Sequence, residues 1–161
     1  MGESKEKRRE GFEALMREIR RFIAGAVLTN QHLAGRLGLN STDYQVLNLL
    51  DLRGQTKPGE LARLTGLTTG GVTVALDRLE KAGFVKRERN PHDRRSVLVR
   101  AVPARMRMVF KLYRPILAGM QQLVSAYGAQ DLATITGFFG RANAAREKIG
   151  APAKLEFRRD I

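Results

Sequence analysis

Three stretches of this chain carry side chains whose types and spacing could do chemistry. The first, Gly66-Leu67-Thr68-Thr69-Gly70-Gly71-Val72-Thr73, comes close to the glycine-rich loop that cradles phosphates with backbone N–H groups. It lacks the lysine such a loop needs, with Val72 in its place, and the pattern before it is helical rather than strand-like. The second is the pair His32 and His92, which fall in different segments with no carboxylate or further histidine at metal-ligand spacing. The chain has no cysteine, which excludes zinc fingers, iron–sulfur clusters, disulfides and thiolate nucleophiles. With no nucleophile, base and orienting group in reach of one another, we expect no enzyme, no metal and no cofactor. The third stretch, Arg89-Asn90-Pro91-His92-Asp93-Arg94-Arg95, is turn chemistry tipped with guanidinium groups and suited to meet a polyanion.

The charge balance points the same way. Lys and Arg total 29 against 16 acids, a net charge of +13 with a pI near 11.0, and a surface of that charge attracts polyanions, nucleic acid above all. The excess is focused: Arg78 to Arg100 holds eight Lys or Arg against three acids. Aromatic residues are only 6% of the chain and Phe84 is the sole one in that basic segment, which argues for double-stranded DNA over RNA. At 161 residues and 18.0 kDa, with 43% hydrophobic residues, the chain is sized for one compact domain with its own core. Met1 to Arg9 is charged, the longest apolar stretch is the seven residues Phe22 to Leu28, and Glu6 stands where a myristoylation signal wants Ser or Thr. A cytoplasmic, nucleoid-associated protein without a membrane span is therefore expected.

The elements that must position these residues are mainly helical. Phe12, Leu15, Met16, Ile19, Phe22, Ile23, Ala26 and Val27 follow the three-and-four spacing of one helix face, from about residue 8. That helix either continues through Asn30 to Leu37 or breaks near Leu28-Thr29-Asn30. Asn40, Ser41 and Thr42 offer caps for a second helix closed by Gly54, Pro58 suits the first turn of a third that Gly66 ends, and Thr68 caps a fourth running to Ala82-Gly83. Val72, Ala75, Leu76 and Leu79 face the core from it. Phe84-Val85 and Val97-Leu98-Val99 then read as short strands of a hairpin around the arginine-tipped turn. Met106 through Val124 is a helical stripe with Pro115 inside it, expected to bend rather than end the helix, and Leu132 to Ala145 forms a last helix. The stripes at the two ends of the chain need burial, either by a second copy in a homodimer or within an intramolecular bundle.

Helix, short turn at Gly66 and second helix, spanning Glu60 to Gly83, match the helix-turn-helix spacing that seats a helix in the major groove. With Lys57-Pro58-Gly59-Glu60-Leu61-Ala62, Leu76-Asp77-Arg78-Leu79-Glu80-Lys81-Ala82-Gly83 and the Asp93-Arg94-Arg95 wing signature, the run from Leu39 to Arg100 resembles the MarR family of bacterial transcription regulators. The resemblance implies a mainly α fold with a small β-hairpin wing, a winged helix-turn-helix core flanked by N- and C-terminal dimerisation helices. On that layout residues 38–102 form the DNA-binding lobe, 9–37 and 103–149 the dimerisation region, and 1–8 and 150–161 charged tails, all within a single compact domain.

Carried over residue by residue, the resemblance makes Thr68, Thr69, Gly70, Thr73 and Val74 the major-groove end of the recognition helix, with Lys57 beside it. Arg95 becomes the wing arginine of the minor groove with Asp93 orienting its guanidinium, and Arg89 and Arg94 meet phosphates. Arg78 either joins them or forms a structural ion pair on the exposed helix face. Gly70, Gly71 and Val74 stand where many members carry serine or arginine. The glycines weaken a helix but let its N-terminus approach DNA closely, and Val74 either touches a thymine methyl or packs in the core. The usual Leu-Thr after the wing is Ala101-Val102 here. The resemblance also implies a homodimeric repressor on a palindromic operator, released by a small aromatic or anionic effector, with Phe22, His32, Tyr44 and Tyr113 as cavity or core residues. The rival reading is a nonspecific architectural DNA-binding protein, which accounts for the charge but not for the wing.

Overall fold

The computed structural model describes residues 2–91 and 93–148. Its elements run α1 (Gly2–Arg36), α2 (Ser41–Arg53), α3 (Pro58–Thr65), α4 (Thr69–Lys81), β1 (Val85–Asn90), β2 (Asp93–Ala101), α5 (Pro103–Val124) and α6 (Ala129–Lys148). This is the mainly α, winged-helix arrangement expected. Length alone suggests one compact body, whereas the chain divides into two compact units, Met1–Ser41 and Thr42–Ile161. The physical reason is that a single long helix makes mostly local contacts along its own axis.

The first unit is α1. Of the two readings of Leu28-Thr29-Asn30, the continuous one holds, giving 35 residues, about 52 Å of helix at 1.5 Å per residue. Phe12, Leu15, Met16, Phe22, Ile23, Val27 and Leu28 are exposed along it, and Leu33 and Ala34 near its end are buried. It stops in a Schellman turn: Gly38 has φ +69°, its N–H donates to Gly35 O at 3.1 Å, and Leu39 N–H donates to Ala34 O at 2.9 Å.

In the second unit the core is built from one face of each short helix. Tyr44, Val46, Leu47 and Leu50 of α2, Leu61 and Leu64 of α3, and Val72, Ala75, Leu76 and Leu79 of α4 are buried. Phe84, Val85 and Val99 add the hairpin's apolar side, and Met106 and Val109 add the first turns of α5. Each large apolar side chain buried there contributes about 1.5–3 kcal/mol to holding the unit together. Helix α3 packs on α4, α4 on β1, and α3 on β2.

The hairpin is longer than its apolar residues suggest. Antiparallel pairs run from Val85↔Ala101 to Arg89↔Val97, and then the register jumps to Asn90↔Asp93, so that Arg94, Arg95 and Ser96 bulge from β2. Cross-strand ion pairing extends the ladder through the charged residues: Arg100 Nε donates to Glu88 Oε1 at 2.7 Å, one step diagonal from its partner. Thr56 adds a third, one-residue strand, donating to Val99 O at 3.0 Å and accepting from Val99 N at 2.8 Å. Helix α5 begins with Pro103 at its first turn and runs through Pro115 unbroken. Beyond Val109 Leu112 and Ile116 are half-buried, whereas Phe110, Leu117, Met120 and Leu123 are exposed, as are Ile135 and Phe139 of α6.

Candidate nucleic-acid interface

The turn between α3 and α4 is fixed by three local devices. Gly66 has φ +72°, a left-handed conformation that a side chain would strain, and its N–H closes α3 on Ala62 O at 3.0 Å. The Thr65 hydroxyl donates to Leu61 O at 2.7 Å and accepts from Leu67 N–H at 3.2 Å. Thr68 then caps α4, its Oγ1 accepting from Gly71 N–H at 3.1 Å. With Val72, Ala75, Leu76 and Leu79 turned inward, Thr69, Gly70, Thr73, Val74, Asp77 and Arg78 are left on the solvent side. Val74 is 51% exposed, so of its two readings core packing is not the one present. A Cβ on Gly70 would meet nothing within 4 Å, whereas one on Gly71 would press on the Thr68 cap at 3.3 Å.

The wing tip is organised around Asp93. Its Oδ1 accepts the backbone N–H of Arg95 at 3.1 Å, and its carbonyl oxygen accepts from Ser96 Oγ at 3.1 Å, which in turn accepts from Asn90 Nδ2 at 2.9 Å. Asp93 Oδ2 lies 3.7 Å from Lys57 Nζ, tying the wing to the residue before α3. The Arg95 backbone N–H first, and then the Ser96 hydroxyl acting on the carboxylate, hold the Asp93 carboxyl below its ordinary value, with Lys57 adding to the effect. Asp93 was expected to orient the Arg95 guanidinium. It holds the Arg95 backbone instead, because a short carboxylate in a turn reaches the N–H two residues on more readily than the end of a long side chain. Among the described residues, the exposed guanidinium groups of Arg89 and Arg95 have no hydrogen-bond or ion-pair partner. The side chain of Arg94 and the whole of His92 lie outside the described residues.

Besides Arg100 on Glu88, two more arginines of the basic segment are committed to acids. Of the two readings of Arg78, the ion pair is the one present: its Nε and Nη2 donate to Asp43 Oδ2 and Oδ1 at 2.8 and 2.6 Å, a bidentate fork onto a carboxylate only 3% exposed. That bond raises the Arg78 guanidinium further above its ordinary value. Arg87, which sequence reasoning did not single out, fastens the wing to α4. Its guanidinium pairs with Glu80 at 2.5 Å and Asp77 at 2.6 Å, and its backbone N–H donates to Glu80 Oε1 at 3.0 Å. Two acids one turn apart at Asp77 and Glu80, on a helix followed by a basic strand, were the available signal.

A cavity of about 500 Å³ opens between the end of α2, the end of β2 and the start of α5, lined among others by Asp51, Arg100, Met106, Arg107 and Phe110. Burial pushes the Asp51 carboxyl up. Tyr44 and Tyr113 do not line it; Tyr44 is a core residue, and Phe22 and His32 are exposed on α1. Among the described residues no group of three His, Asp or Glu could hold a metal ion, and no helix is long and apolar enough to cross a membrane.

The fold that carries this geometry is shared with known proteins. A family profile described as MarR family matches residues 37–96, which hold α2, α3, α4, β1 and the wing tip. An uncharacterised HTH-type transcriptional regulator of Bacillus subtilis, YcgE, is 40% identical over 116 residues, 72% of this chain and 75% of that protein. The chain belongs to the MarR family. Members of this family are DNA-binding transcriptional regulators, not enzymes. The multiple antibiotic resistance protein MarR of Salmonella typhimurium is 31% identical over 67% of this chain and 75% of its own length. A mutant MarR of E. coli, solved in complex with operator DNA, shares the fold with a TM-score of 0.55 at 23% identity, covering 80% of this chain and 93% of that one.

Proposed function

We propose that this MarR-family chain is a sequence-specific regulator that binds double-stranded DNA as a homodimer, α4 entering the major groove and the wing the adjacent minor groove. The observation that carries the reading is that the exposed side of α4 (Thr69, Gly70, Thr73, Val74) and the unpaired guanidinium groups of Arg89 and Arg95 belong to one braced unit. Lys57 adds positive charge next to the wing tip, and Arg94 belongs to the same bulge. Arg95 is the residue for the minor groove, whose negative potential favours a free guanidinium.

Dimerisation is supported by the large apolar side chains exposed on α1, on α5 and on α6, which one copy leaves in water. Two-fold symmetry then calls for a palindromic operator with half-site centres about 10 base pairs apart. Repression by promoter occlusion is the simplest use of such binding. Release by a small aromatic anion is supported by the cavity beside α5, where Arg107 and Phe110 offer charge and an aromatic face. The net charge of +13 by itself favours a second reading, nonspecific architectural binding.

Selection from a genomic DNA library with the purified protein at near-physiological salt separates the two. A palindrome with half-sites one turn apart is the expected result, and a library returned without enrichment would leave charge as the whole explanation.

A further inference from the structure

Base pairs are distinguished in the major groove either by bidentate donors and acceptors, Arg or Lys on guanine and Asn or Gln on adenine, or by apolar contact with the thymine methyl group. The exposed side of α4 is poor in the first kind of reader. Its sequence, Thr69 to Lys81, has no Asn or Gln and only two basic residues. Arg78 has closed its fork on the buried carboxylate of Asp43. Lys81 is in the last turn, eight residues past Thr73 and about 12 Å farther along the axis. Asp77 has the wrong sign for phosphate and is held by Arg87 at 2.6 Å. The Thr73 hydroxyl gives its one proton to Thr69 O at 3.0 Å, and the Thr68 oxygen already accepts from Gly71.

What α4 does offer is apolar. Val74 holds its side chain half in water, a β-branched residue on the solvent side of the helix. Gly70, one turn before it, lies in open space where alanine would fit and would favour the helix, so its bareness serves no purpose inside the chain. We propose that α4 reads thymine through its 5-methyl group, with Val74 as the specificity-determining residue and Gly70 as the clearance that lets the helix backbone come close. The recognised positions of each half-site are then T·A pairs read by apolar contact, not G·C pairs read by arginine. This deepens the proposed function and rests on α4 being the recognition helix.

The test uses the full-length protein and the duplex recovered by selection, with each thymine replaced in turn by deoxyuridine, which keeps every hydrogen-bonding group and removes only the methyl. At least one thymine per half-site should lose about fourfold in affinity, the worth of one buried methyl. In Val74→Ala that penalty should fall below about twofold, while affinity for the deoxyuridine duplex stays at the wild-type value. Arg95→Ala should weaken both duplexes equally and keep the penalty. A selected operator indifferent to every thymine-to-deoxyuridine change overturns the methyl readout and leaves the regulator standing, and so does a full penalty surviving in Val74→Ala. If no operator is selected at all, both readings fall together. Circular dichroism of Val74→Ala checks that this exposed site leaves the fold intact.

Discussion

Helix α4 and the wing are neighbours on one small unit, yet they dispose of charge in opposite ways. On α4 the guanidinium of Arg78 is turned back onto Asp43 and the acid Asp77 onto Arg87, so the helix end between Thr69 and Val74 is neutral. On the wing the acid is spent internally, Asp93 bracing the Arg95 backbone and Lys57, and the guanidinium groups of Arg89 and Arg95 are left unpaired. A charged surface attracts any phosphate backbone and is screened by salt, whereas a neutral, shaped one discriminates only at contact. Under the proposed function the comparison amounts to a division of labour, the wing supplying affinity and α4 selectivity.

The strongest challenge to this division is at Arg78. If its charge is structural, Arg78→Ala takes the bidentate fork away from a nearly buried carboxylate and should lower the urea midpoint, while the salt dependence of DNA binding keeps its slope. A reduced slope with unchanged stability would put Arg78 on the DNA and erase the contrast. Arg95→Ala should do the reverse. Stability should hold within about 0.5 kcal/mol, DNA affinity should drop about 10- to 100-fold, and the slope of log affinity against log salt should fall by about one, read by fluorescence anisotropy.

Gly70→Ala sharpens the contrast from the helix side. Alanine fits the open space and should raise stability by about 0.5–1 kcal/mol in thermal melts, yet weaken operator binding severalfold by holding the helix off the groove. Greater stability with undiminished binding would remove the close approach. The smallest effect concerns pH. Because the folded Asp93 carboxyl titrates below its ordinary 3.8, its contribution is complete above that value and is lost only as pH falls through the lower folded one. Between about pH 5 and 8 Asp93 therefore adds no pH dependence to wing order or DNA affinity, and amide exchange at Arg95 followed through that range should be free of a carboxylate titration.

Much of the local punctuation was legible in the chain. Thr68 caps, Gly66 turns and Pro58 starts because each acts on backbone within one turn of itself, and a four-residue window contains the whole cause. The wing's position was legible from its turn, but its length was not: strands β1 and β2 gain their extra residues from cross-strand partners such as Glu88 and Arg100, whose alternation is hidden by charge. The one-residue strand at Thr56 leaves no pattern to read. At the candidate interface, the inward residues Val72, Ala75, Leu76 and Leu79 followed from helical spacing, whereas the place of Val74 did not. Which arginines remain free did not, since Asp43 lies 35 residues from Arg78 and nothing local announces their pairing.

The most direct test of the account is a titration of the selected operator and a scrambled duplex of equal length and composition, over about 50 to 200 mM salt. Both curves should weaken with salt in parallel through the wing, with the operator held tighter by at least about a thousandfold throughout and two chains bound per duplex. Coincident curves, or one chain per duplex, would contradict a dimeric protein in which α4 selects the sequence that the wing helps to hold.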